Sequence, residues 1–138
     1  MRSFVRMTKT AGIVAALLAS ASASAVDHPV TVGGAAGQVF TPSTLSIAAG
    51  DTVTFTNAGG LHNIASDPGA VTSFHCSDAC GASPTGNPSS NLWSQTITFP
   101  DAGTIGYFCE QHGGPGGQGM AGVITVTIPV ELQSFDID

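Results

Sequence analysis

Cys109, His112 and Met120 place a thiol, an imidazole and a thioether within one short stretch, Tyr107 to Gly122, which reads YFCEQHGGPGGQGMAG. A metal that alternates between Cu(I) and Cu(II) needs a soft thiolate, imidazole nitrogens acceptable to both states, and only a weak axial contact. These three side chains supply those chemistries and amount to three-quarters of a copper site. Between and around them lie Gly113, Gly114, Gly116, Gly117 and Gly119. Glycine tolerates backbone angles that other residues do not, so this run can fold back and bring the donors to one point. One ligand must come from elsewhere in the chain.

The cysteine count supports the same reading. Of three cysteines, Cys76 and Cys80 stand four apart in FHCSDACG and form the natural disulfide pair, which leaves Cys109 over. The count alone leaves open a bridge from Cys109 to either of the others. In an oxidising compartment a bare thiol is a liability, and a metal bound to it removes that liability. Three histidines compete for the missing position. His28 stands near an expected chain start, where chains fray, and His75 adjoins a cysteine assigned to the disulfide. His62 follows a well-patterned strand and a Gly59-Gly60 step that can carry it to one end of a sheet, so it is the preferred candidate.

The oxidising compartment is itself a reading of the first 25 residues. Arg2, Arg6 and Lys9 precede an apolar run, Ala11 to Leu18, and Ala23-Ser24-Ala25 has the small-residue form of a cleavage site. The apolar run falls well short of the roughly 20 residues that span a bilayer. There is no twin-arginine pair, and no cysteine near the cleavage point to carry a lipid. A secretory signal peptide over 1–25 and one domain over 26–138 are therefore expected, with the product periplasmic or secreted and without a membrane span. Every Lys and Arg lies in the leader, so its removal takes the formal charge from −6 to −9. A chain with no strong base has no means of neutralising phosphates, which excludes nucleic acid and anionic lipid as partners. A cationic protein surface is the favoured partner.

The elements that must position the donors are short and β-rich. Thr52 to Asn57, TVTFTN, alternates threonine with Val53 and Phe55; Leu45-Ser46-Ile47 alternates likewise, and Leu92 to Phe99 and Val123 to Ile128 are further strand candidates. Strict alternation marks a sheet with one buried face. From Ser66 to Asn91 the composition turns to Pro, Gly, Ser, Asn and Asp, an irregular connection that the disulfide pins, with room for a turn of helix. Trp93 is read as a core anchor. Seven or eight such strands in about a hundred residues predict an all-β, two-sheet sandwich.

Phe40 to Asn57, FTPSTLSIAAGDTVTFTN, followed by His62-Asn63-Ile64, then YFCEQH at Tyr107 to His112 and GMAG at Gly119 to Gly122, resembles the small blue copper proteins, the cupredoxins of the plastocyanin, pseudoazurin and halocyanin kind. The resemblance covers about Val39 to Ile128 and implies a Greek-key sandwich. It further implies one type 1 copper held by His62, Cys109 and His112 with Met120 as the weak axial ligand, and Asn63 tying the two ligand loops together behind the thiolate. It implies a soluble monomer that carries single electrons between redox proteins and is not an enzyme. In the family the second histidine is the electron's door at an apolar surface, here His112. One departure stands out: seven residues, GGPGGQG, separate His112 from Met120, where plastocyanin-like loops usually have four. Gln118 is the rival axial donor in that lengthened loop.

Other accounts fare less well on the residues. A copper delivery protein without an electron-transfer role favours Met-rich or His-rich surfaces, and Met120 is the only methionine after the leader. A dinuclear copper motif beginning at Cys76 and Cys80 needs a histidine and a methionine where Pro84 and Asn87 stand. A copper enzyme needs further domains and histidines. A metal-free sandwich with a packed Cys109 leaves His112 and Met120 without a reason.

Overall fold

The computed structural model describes residues 12, 15, 16 and 23–129. Most of the segment 1–25 that is expected to be a leader, and the tail from 130 onward, lie outside the described residues. Among the described residues nine strands follow in order: β1 Asp27–Val32, β2 Phe40–Thr41, β3 Thr44–Ala48, β4 Thr52–Asn57, β5 Ile64–Ser66, β6 His75–Cys76, β7 Ser94–Thr98, β8 Gly103–Gly114 and β9 Gln118–Thr127. They form two sheets, β2-β1-β4-β7 and β3-β9-β8-β5-β6. The all-β, two-sheet expectation therefore holds. The strand count exceeds seven or eight because β2 and β6 are two residues each, too short to show a period.

Alternation decides what each strand buries. In β4, Val53 and Phe55 point inward while the threonines face out, Thr54 bonding Thr96 and Thr56 bonding Ser94 across the pair with β7. In β8, the same period turns Ile105, Tyr107 and Cys109 inward, so the thiol enters the core as the last member of a buried row. In β9 it turns Met120, Gly122, Ile124 and Val126 inward. Gly122 has to be glycine, because a Cβ there would lie 2.4 Å from the Tyr107 ring and hydroxyl.

The core between the sheets is built on aromatics. Phe55 meets Tyr107 edge-on at 5.3 Å between ring centroids, and Phe74 meets Phe99 in the same manner at 6.0 Å. Each fully buried side chain of this size contributes about 1.5–3 kcal/mol of transfer free energy. The Tyr107 hydroxyl has no hydrogen-bond partner among the described residues, and burial pushes its ionisation well above the ordinary tyrosine range. Since an unpartnered buried hydroxyl costs its desolvation, Tyr107→Phe should leave unfolding free energy unchanged or raise it by about 1 kcal/mol in urea titration.

The connection from β5 to β7 is irregular, as its composition suggests, with short turns (Thr85 N–H to Ala82 O, Asn87 N–H to Pro84 O) and no helix. The Cys76–Cys80 disulfide closes within it, and Cys109 is free and buried.

Candidate metal centre

At one end of the sandwich, three donors converge. The Cys109 Sγ lies 3.7 Å from Nδ1 of His62 and 3.7 Å from Nδ1 of His112, and the two nitrogens are 3.2 Å apart. No other group of three His, Cys, Asp or Glu donors among the described residues comes so close together. One proton cannot satisfy three mutually facing donors, whereas one cation can. The point equidistant from all three lies about 2 Å from each, close to metal–imidazole bond lengths of about 2.0–2.1 Å and metal–thiolate lengths of about 2.3 Å. The donor set and its spacing therefore fit a soft, copper-sized ion.

His62 is held from several sides. Its N–H donates to Ser89 O at 3.1 Å, and its carbonyl accepts from Ser89 N–H at 3.0 Å and from the Trp93 indole N–H at 3.2 Å. Trp93 is thus the expected core anchor and also a brace for the ligand. The His62 ring lies in a slot of two glycines: a Cβ at Gly33 would be 2.3 Å from its Nε2, and one at Gly60 would be 2.4 Å from it. Burial, followed by the neighbouring His112, lowers the His62 pKa against a hydrogen bond to Gly59 that raises it. The imidazole is accordingly neutral near pH 7, the form a metal needs.

Cys109 arrives on β8 by strand alternation, and Asn63 fixes the backbone just after it. The Asn63 side chain accepts from Glu110 N–H at 2.9 Å and donates to the Glu110 carboxylate at 2.6 Å and to Gly86 O at 3.0 Å. These bonds join the segment after His62 to the residue after Cys109. A further connection was not legible in the sequence: His75 Nε2 reaches the same Glu110 oxygen at 2.8 Å, while its Nδ1 donates to Gly81 O at 2.6 Å. His75, passed over as a ligand, links the disulfide loop to the residue after the thiol.

His112 lies within the irregular stretch of β8 between Phe108 and Gly113 and is partly exposed. The extra residues after it do not drift away; they lengthen the β8–β9 hairpin by the rungs Gly113↔Gly119 and Gly114↔Gln118. Gly116 N–H at the tip donates to an Asp67 carboxylate oxygen at 3.1 Å. A hairpin returns its strands to register whatever its length, so Met120 comes back beside the ligand end of β8. Met120 is 2% exposed and turned inward, whereas Gln118 is exposed at the outer rungs.

His28 lies at the far end of β1, bonded through Nε2 to Asp51 at 2.9 Å, and does not fray as expected of a chain start. Asp51 also accepts from Val26 N–H at 3.0 Å and Ala48 N–H at 3.1 Å. The Val26 amide first, then His28 and Ala48, hold its carboxyl below the usual carboxylate range. A depressed carboxyl stabilises the fold above its unfolded value of about 3.9 and loses that contribution as pH falls through the lower folded value. In metal-free protein, Asp51→Asn should flatten the acid limb of stability against pH below about 4.

A family profile described as copper binding proteins, plastocyanin/azurin family, matches residues 27–127. The chain is 37% identical over 123 residues to the chloroplastic plastocyanin of Chlamydomonas reinhardtii, an alignment covering 88% of this chain and 81% of that protein. With that of Tetradesmus obliquus it is 40% identical over 127 residues, covering 90% and 83%. Among solved structures, the oxidised plastocyanin of Dryopteris crassirhizoma superposes with a TM-score of 0.52 at 24% identity, over 72% of this chain and all of that one. Native pseudoazurin of Hyphomicrobium denitrificans gives 0.52 at 23% identity, over 75% and 77%. These superpositions speak to the fold.

Proposed function

The chain belongs to the plastocyanin/azurin family of copper-binding proteins, and from that membership we propose that it carries single electrons at one type 1 copper held by His62, Cys109, His112 and Met120. When bound, the ion supplies a one-electron couple between Cu(II) and Cu(I). The observation that carries the reading is the convergence of one thiolate and two imidazoles, with no fourth His, Cys, Asp or Glu donor joining them among the described residues. Every other group in the site serves to hold that triangle still. Ser89, Trp93, Gly33 and Gly60 fix His62, and Asn63 fixes the backbone after Cys109 and so shields the sulfur from movement and tunes it. Donors that cannot rearrange keep the site acceptable to both oxidation states.

Met120 would supply the weak fourth contact to the ion, a role supported by its buried, inward side chain beside the ligand end of the hairpin. Met120→Gln should lower the reduction potential without abolishing the blue colour, and Met120→Ala should move the potential upward or downward by a resolvable amount in voltammetry. An unmoved potential in both variants would count against the axial assignment.

His112 is the door for the electron. It is partly exposed, and it shares an open surface hollow with Gly34, Ala35, Gly59, Gly60 and Leu61. Small side chains there permit the low-area, transient contact that redox encounters use. From residue 10 onward the chain has no Lys or Arg, so the partner presents a cationic rim, and the carrier acts as a monomer and not as an enzyme. Residues 1–25 act as a leader cleaved after Ala25, which releases 26–138 to a periplasm or the exterior. Residues 23–26 lie exposed ahead of β1, which supports this reading. The experiment that tests the function is protein-film voltammetry of the copper-loaded exported chain. Reversible one-electron waves with retained metal support a carrier; ready loss of Cu(I) to a competing chelator supports delivery of the ion.

A further inference from the structure

We propose that the chain start exposed by cleavage after Ala25 is a second metal site, separate from the thiolate centre, which takes Cu(II) or Ni(II) in a square of four nitrogens. The proposal rests on the cleavage reading above, because the donors do not exist together until that bond is cut. The new start is Val26-Asp27-His28. A free α-amino group with histidine two residues on can wrap one ion with the α-nitrogen, the two intervening amide nitrogens and imidazole Nδ1, closing two five-membered rings and one six-membered ring. Four nitrogens in a plane suit Cu(II) and Ni(II) among the common divalent ions. Binding releases three protons, one from the α-ammonium and one from each amide, and no electron moves.

In the folded chain these groups lie close together at the start of β1. Val26 is 54% exposed, and residues 23–25 ahead of it are exposed and outside any strand. Val26 N and the His28 imidazole already share one partner, the Asp51 carboxylate, at 3.0 and 2.9 Å, so the two ends of the chelate lie on the same side of the strand. Asp51 engages Nε2 of His28; Nδ1, the nitrogen that closes the six-membered ring, has no hydrogen-bond partner among the described residues. β2 pairs only with Thr31 and Val32, so the first residues of β1 have β4 on one side and an open edge on the other.

In the parallel ladder, Thr52 N–H donates to Val26 O, so the His28 amide faces β4 and the Asp27 amide faces the open edge. Metal capture therefore releases Val26 to His28 from β4 and from Asp51, and leaves Val30 to Val32 paired. Pro29, which has no amide to give, marks the natural end of the peel. The His62 slot adjoins Gly33, beyond the other end of β1, so the two sites sit roughly 20 Å apart along a strand rising about 3.3 Å per residue.

The test uses exported protein made from the full chain with its own leader. Its intact mass gives the first residue, and metal-free samples receive one and then two equivalents of Cu(II). The expected product begins at Val26. Its first equivalent gives the thiolate band, and its second gives an axial spin-resonance signal with nitrogen hyperfine structure and no thiolate band. Cys109→Ser protein should lose the first signal, keep the second, and form a diamagnetic square-planar complex with one Ni(II). His28→Ala, and a form with one glycine added ahead of Val26 after cleavage, should keep the thiolate band and lose the second equivalent and the Ni(II). The glycine form leaves every residue of β1 in place, so it reads the chelate apart from folding. A product beginning elsewhere, a Val26 product that takes only one Cu(II), or a second equivalent that survives both changes would overturn the proposal, and none of these outcomes bears on the thiolate band that tests the electron carrier.

Discussion

Cys109→Ser should abolish the intense visible absorption of the copper-loaded protein and weaken copper retention by more than the roughly 10–100-fold that loss of a supporting hydrogen bond costs such sites. Cys109 is the only free thiol among the described residues, it is fully buried, and both imidazole Nδ1 atoms face it at 3.7 Å. Serine keeps the size and removes the soft donor on which the charge-transfer band depends. The control is Cys76→Ser/Cys80→Ser, which opens the small disulfide loop and should lower stability by about 2 kcal/mol while the band remains. Absorption titration with Cu(II) reads both variants. A band that persists in Cys109→Ser would remove the thiolate from the account.

The second large effect is expected far from the copper loop in sequence. Gly33→Ala should disrupt copper binding although residue 33 offers no donor. The new Cβ would lie 2.3 Å from His62 Nε2 and 2.5 Å from Gly59 O, and φ at Gly33 is +63°, a conformation that alanine adopts only with strain. Overpacking and strain of this kind cost about 1–3 kcal/mol. The imidazole is the movable part of that contact, so the substitution pushes Nδ1 off the triangle before it unfolds the sandwich. The expected result is a preserved β-sheet circular dichroism spectrum with a weakened or rhombically altered copper spectrum. Gly37→Ala is the matched comparison: it too has positive φ, at +86°, but open space around its Cβ position. Loss of stability in both variants with an unchanged copper spectrum in Gly33→Ala would show that the slot does not position His62.

Much of this was legible in the chain because it depends on local period. The alternation in β4 states which side chains face inward, and the thiol, imidazole and thioether of the copper loop declare their chemistry by type. The cysteine arithmetic likewise survives, with Cys76 bridged to Cys80. What the sequence withheld depends on residues distant along it. Gly33 reads as one more turn glycine until the fold sets it against His62. Glu110 and His75 carry no pattern that announces their contact, which arises because β5 pairs with both β6 and β8. His28 was discounted on its position near a chain start, yet Asp51 and the β4 ladder hold it in a strand. The lengthened loop also had no evident purpose in sequence. In the structure its glycines add rungs to the hairpin, where a Cβ at Gly113 would meet Gln118 O and Met120 O at 2.5 Å, so close backbone approach is the reason they are glycines.

The central claim is that one copper ion keeps the same thiolate and two imidazoles as it gains and loses an electron. X-ray absorption at the copper edge, recorded on the oxidised and then the reduced copper-loaded protein, measures those donors directly. The account predicts one short sulfur at about 2.1–2.3 Å and two nitrogens at about 2.0–2.1 Å in both states, with changes of no more than about 0.1–0.2 Å between them. A spectrum without the short sulfur, or one in which an imidazole is lost on reduction, would contradict it.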